Sequence, residues 1–137
     1  MQNKNYAIIA GYASTFNNID KNNHIVLKDA LLYNKNIPIL LQHDFQKQIG
    51  TILNLQSDFY GLYVEAAFNL NTPLKQRVYK LIKNNSIHGM SVGLRTLKSK
   101  FENNIMRIEK AKVIEISLTG KPVNTFCKID FCEEFYL

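Results

Sequence analysis

From residue 6 onward the apolar residues fall into short runs cut by polar turn clusters, and only one stretch repeats them clearly at helical spacing. A chain patterned in this way must bury its apolar surface mainly in sheets. Residues 6–16 are apolar with small side chains and precede the turn cluster Asn17-Asn18-Ile19-Asp20-Lys21-Asn22-Asn23. Residues 37–42 form a nearly continuous apolar run, the pattern of a buried strand. Residues 49–55 and 62–68 flank Gln56-Ser57-Asp58-Phe59-Tyr60-Gly61 and predict a hairpin. Residues 87–97, 105–108 and 113–118 read as further strands. The helical exception follows Asn71: Thr72 suits an N-cap, Pro73 suits the first helical position, and Leu74, Val78, Leu81 and Ile82 share a face before Asn84-Asn85 end it. Residues 27–33 fit a second, short helix. The expectation is one domain over residues 1–137, mainly β with flanking helices (α+β), its roughly seven strands mostly antiparallel and closed or nearly closed into a barrel.

Composition narrows the function classes. A length of 137 residues suits one hydrophobic core, with 46% hydrophobic and 20% charged residues. No apolar run approaches the ~18–20 residues that span a bilayer, so no membrane role is expected. Met1-Gln2-Asn3-Lys4-Asn5 does not open a secretory signal, which makes an intracellular site of action the default expectation. Cys127 and Cys132 lack the second ligand pair of a zinc site and read as inert reduced thiols. The net charge of +6 can steer nucleic acid or acidic proteins, but the Lys and Arg residues are scattered and read as a solvated surface.

Three segments could carry chemistry. Ser91 lies in Gly89-Met90-Ser91-Val92-Gly93, where glycines two positions to either side leave one strand face bare. That pattern admits a substrate backbone beside the hydroxyl, and it equally suits a bulge or tight internal packing. It is not the strand-turn-helix nucleophile elbow, since Leu94-Arg95-Thr96-Leu97 continues an extended pattern. His43 ends the run Ile39-Leu40-Leu41-Gln42, placed either to reach a cleft or to serve structurally. Asp44 should point away from it, and His88 should face away from Ser91. His24 sits in a polar loop with no evident partner. Glu115, between Ile114 and Ile116, either faces solvent or is buried and needs a partner such as a histidine.

Taken in order, these segments resemble the prohead proteases of tailed phages, which are related in fold to the herpesvirus capsid-maturation protease. The resemblance is carried by Gly11-Tyr12-Ala13-Ser14-Thr15-Phe16, by Ile37-Pro38-Ile39-Leu40-Leu41-Gln42-His43-Asp44 with Ile49-Gly50, and by Gly61-Leu62-Tyr63-Val64-Glu65. It continues through Ile87-His88-Gly89-Met90-Ser91-Val92-Gly93-Leu94 and Ile114-Glu115-Ile116-Ser117-Leu118 to Pro122-Val123-Asn124. It implies a barrel of the herpesvirus-protease type and a serine endopeptidase with no metal or organic cofactor. Ser91 would be the nucleophile and His43 its general base, and Glu115 would stand where the herpesvirus relatives place a histidine. Backbone amides at Gly120 and Lys121 are candidates for the oxyanion hole, and Gly89 and Gly93 for contact with a substrate strand. The implied substrates are scaffolding protein or the scaffolding segment of the major capsid protein, cut in the host cytoplasm inside the immature prohead. Self-cleavage and a homodimer or higher oligomer stay open. His24 departs from the acidic or small residue of many relatives.

Two rivals come from other classes. A non-catalytic β-barrel binding single-stranded nucleic acid would use the positive charge with seven tyrosines and eight phenylalanines. An inactive structural capsid or scaffold component would keep the fold without the chemistry.

Overall fold

The computed structural model describes residues 5–136. Nine strands and one helix follow in the order β1 (Asn5–Thr15), β2 (His24–Val26), β3 (Leu31–Leu32), β4 (Ile39–Leu41), β5 (Asp44–Ser57), β6 (Gly61–Asn69), α1 (Pro73–Lys83), β7 (Gly89–Glu102), β8 (Ile105–Thr119) and β9 (Ile129–Tyr136). The helix starts as its sequence dictates, with the Thr72 hydroxyl accepting from the Lys75 amide at 3.2 Å and Pro73 opening the first turn.

One sheet runs β2-β8-β4-β5-β6-β1-β9, with β3 and β7 also paired to β8. β8 is its organising strand. On one side it pairs antiparallel with β7. Along its other edge β2, β3 and β4 lie parallel to it in succession, opposite Met106–Ile108, Ala111–Lys112 and Ile116–Leu118 respectively. The expectation of about seven strands closed or nearly closed into a barrel is corrected here: among the described residues there are nine, and the sheet does not close. β9 spends its ladder on β1, and the residue before it, Lys128, forms an isolated bridge with Gly89 of β7. The helix expected over residues 27–33 is also absent. Asp29 has φ 65°, which breaks helical geometry, and only Leu31–Leu32 pairs onward as β3. The two strands expected over 105–108 and 113–118 are one, since β8 is continuous from Ile105 to Thr119.

The core lies under this sheet. Ile39, Leu40, Met90, Ile116 and Leu118 are all at most 1% exposed, and together they lock β4, β7 and β8. Each such aliphatic side chain contributes about 1.5–3 kcal/mol by burial, so the register that sets the site is held by packing. Among the described residues no helix is long and apolar enough to cross a membrane.

Both cysteines are free, Cys127 buried and Cys132 half-buried. Burial pushes the Cys127 thiol up to about 12 and the Cys132 thiol up to about 11. Neither forms thiolate near neutral pH. An alkylating reagent at pH 8 is therefore expected to label the native chain at neither position within minutes and both after denaturation, read by intact mass.

Candidate active site

His43 is not at the end of a strand, as its sequence suggested. It is the second residue of a two-residue turn, Gln42-His43, between the paired residues Leu41 and Asp44. Both turn residues have positive φ, 51° and 62°. Consecutive left-handed residues give the hairpin geometry that Asn-Gly pairs favour. Asn103-Asn104 adopts the same geometry between β7 and β8, with φ 54° and 62°. Asparagine and histidine are among the residues enriched in this region, whereas glutamine does not favour it. Strained backbone of this kind concentrates at functional sites. Two bonds from β8 hold the turn: the Gln42 amide donates to the Leu118 carbonyl at 3.1 Å, and the His43 amide to Ser117 Oγ at 2.8 Å.

The His43 ring turns back toward β8, where Nδ1 pairs with Oε1 of Glu115. Glu115 is 2% exposed although Ile114 beside it is 41% exposed, so the strand faces are inverted relative to simple apolar burial. The carboxylate is not stranded, because the Ser117 hydroxyl donates to Oε2 at 2.7 Å. A buried charge without such partners would cost several kcal/mol. Ser117 was missed in the sequence, although it lies two positions from Glu115 and so shares its strand face.

Ser91 sits directly opposite Ser117 in the β7–β8 ladder, and Gly93 opposite Glu115. Ser91 and His43 line one cavity of about 320 Å³, together with His24 and Asp20. His24 thus lines the site from the start of β2, and its amide donates to Asp20 Oδ1 at 2.9 Å. Asp44 Oδ1 accepts from the Gln46 amide instead of orienting His43. His88 lies before β7, where its carbonyl accepts from the Ile129 amide.

The two glycines are tightly packed on the side that a side chain would occupy. A side chain at Gly93 would lie 2.5 Å from Glu115 Oε1 and 2.8 Å from its Cγ, and one at Gly89 would lie 2.6 Å from Pro122 Cγ. At both positions the space a side chain would take is filled by the chain itself. Gly93 makes room for the buried carboxylate. Of the two oxyanion candidates, the Lys121 amide already donates to Thr119 Oγ1 at 3.0 Å. Gly120 and Lys121 both line a second cavity of about 750 Å³, which His43 also borders and Ser91 does not.

A family model described as caudovirus prohead serine protease matches residues 1–135. The chain belongs to that family. It is 30% identical over 94 residues to the prohead protease of Escherichia phage T5, covering 67% of this chain and 44% of that protein. The chain therefore spans less than half the length of this prohead protease relative. The fold is that of herpesvirus proteases. The KSHV protease in complex with a hexapeptide phosphonate inhibitor superposes with a TM-score of 0.58 at 10% identity, over 96% of this chain and 66% of that one. Another KSHV protease structure gives 0.50 at 12% identity, over 95% and 61%.

Proposed function

We propose that this member of the prohead protease family is a serine endopeptidase that cleaves scaffolding protein, or the scaffolding segment of the major capsid protein, inside the immature prohead. The observation that carries the reading is the convergence of Ser91 and His43 on one cavity with Glu115 behind the imidazole. With Nδ1 held by the carboxylate, Nε2 is the nitrogen free to act as base. It takes the Ser91 proton as Oγ attacks the scissile carbonyl, then delivers that proton to the leaving amine. Water repeats the sequence on the acyl-enzyme and regenerates the serine. Glu115 keeps the imidazole in the required tautomer and supports its charged form. The tetrahedral oxyanion needs preorganised donors, each worth ~2.7–4 kcal/mol. Gly120 remains the candidate donor from the loop after β8. No metal or organic cofactor enters these steps.

A reactive phosphonate ester is the direct test. A single covalent adduct on Ser91, found by peptide mass spectrometry and lost in His43→Ala, is the expected outcome. An unlabelled Ser91 beside other labelled residues would refute the nucleophile assignment.

Gly93 offers a test that leaves all three functional groups in place. Gly93→Ala pushes a methyl group into the middle of the Glu115 side chain, which packing prevents from moving freely. Misplacing the carboxylate should lower kcat/KM by about 10²-fold while the chain stays folded. Full activity in this variant would mean that the position of Glu115 is not critical.

A further inference from the structure

We propose that the 750 Å³ cavity is a substrate subsite that takes an acidic side chain next to an aliphatic one, beside the cleaved bond; this rests on the endopeptidase reading above. His43 lines both cavities and Ser91 the smaller, so a peptide with its scissile carbonyl at Ser91 has the larger cavity alongside. Extended chain advances about 3.3 Å per residue, which brings neighbouring side chains within its reach. Its volume lies in the usual range for ligand sites, about 300–1,000 Å³.

The lining chemistry is one-sided. Lys47 from β5, Arg77 from α1 and Lys121 from the loop after β8 converge on it, and no Asp or Glu lines it. Among the described residues none of the three cations makes an ion pair. Between them lie the aliphatic side chains Leu74, Val78 and Leu81 of α1. A carboxylate seated here would meet two or three positive charges at its head and apolar surface along its stem. No Phe, Tyr or Trp lines the cavity, so it lacks the stacking platform that a single-stranded nucleic acid would use.

The test measures binding in the Ser91→Ala chain of residues 1–137, which cannot consume the probe. Two fluorescent octapeptide pools are compared, identical except for Glu-Leu or Gln-Leu at two fixed central positions. The Glu pool is expected to bind about fivefold more tightly at low salt, with the advantage shrinking near 0.5 M salt. Lys47→Gln combined with Arg77→Gln should bring the ratio close to one. Lys98→Gln, which removes an ammonium paired with Glu109, should leave it unchanged. Equal binding of the two pools, or a preference that survives the double variant, would overturn the subsite. So would displacement of the peptide by a more tightly held single-stranded oligonucleotide that needs the same two cations. Failure here with a phosphonate adduct still formed on Ser91 removes the subsite alone. Selective binding in a chain whose wild type forms no adduct overturns its assignment as a protease subsite.

Discussion

Ser91→Ala is expected to abolish cleavage of a co-expressed capsid or scaffolding protein while leaving the chain folded. Ser91 is half-buried opposite Ser117, and alanine fits wherever serine did. Thermal unfolding should therefore shift by no more than the equivalent of about 1 kcal/mol. The chemical loss is much larger, because no acyl-enzyme can form. Removing the nucleophile in a well-studied serine protease costs on the order of 10⁶-fold in kcat, with the remaining acceleration over water supplied by the oxyanion hole and binding. On a gel, substrate should stay full-length with the variant and shorten with wild type. Near-normal cutting by Ser91→Ala would sink the serine mechanism altogether.

Glu115→Gln should produce the next largest loss. The amide can still accept from Ser117, so packing and most of the local network survive. What disappears is the negative charge facing Nδ1, which favours one tautomer and supports imidazolium as it forms. The corresponding loss of a carboxylate in a serine triad costs up to ~10⁴-fold. For Glu115→Gln a fall of ~10²–10⁴-fold is expected, concentrated in kcat with KM little changed. Steady-state kinetics on a cleavable peptide separate the two parameters. A variant with unchanged kcat would leave Glu115 only the task of anchoring Ser117 and the Gln42-His43 turn.

The sequence revealed these elements unevenly, for physical reasons. β6 and α1 were legible because each has a buried face with clean periodicity, and the Thr72-Pro73 start is a local signal. β5 was found only over its apolar second half, since residues 44–48 carry no buried face. β9 was missed. Its Ile129-Asp130-Phe131-Cys132-Glu133-Glu134-Phe135-Tyr136 lies along the edge beside β1 and buries no residue fully, so it carries no apolar face to detect. β2 and β3 were missed because two or three residues that borrow their hydrogen bonds from β8 have no period of their own. In the site, Ser91, His43 and Glu115 could be singled out, but not their backbone setting. Nothing in Gln42-His43 announces a turn of left-handed residues, whereas Asn103-Asn104 does. The burial of Glu115 was one of two readings that its apolar neighbours allowed, and only tertiary packing decides between them. Gly93 was legible as a bare position, and what fills the space was not.

The dependence of every site residue on β8 also bears on when the site comes into being during synthesis. His43 emerges first, Ser91 next and Glu115 last, and the strand that arrives last ties down the other two. Until residues 105–119 leave the ribosome, the Gln42-His43 turn lacks both of its anchoring bonds, and Ser91 lacks its partner across the ladder. These contacts are distant in the chain, so they form only once the loops between them close. A partly made chain thus presents a serine and a histidine that have not met. On the proposed assignment, cutting must wait until β8 has been made, a delay written into strand order.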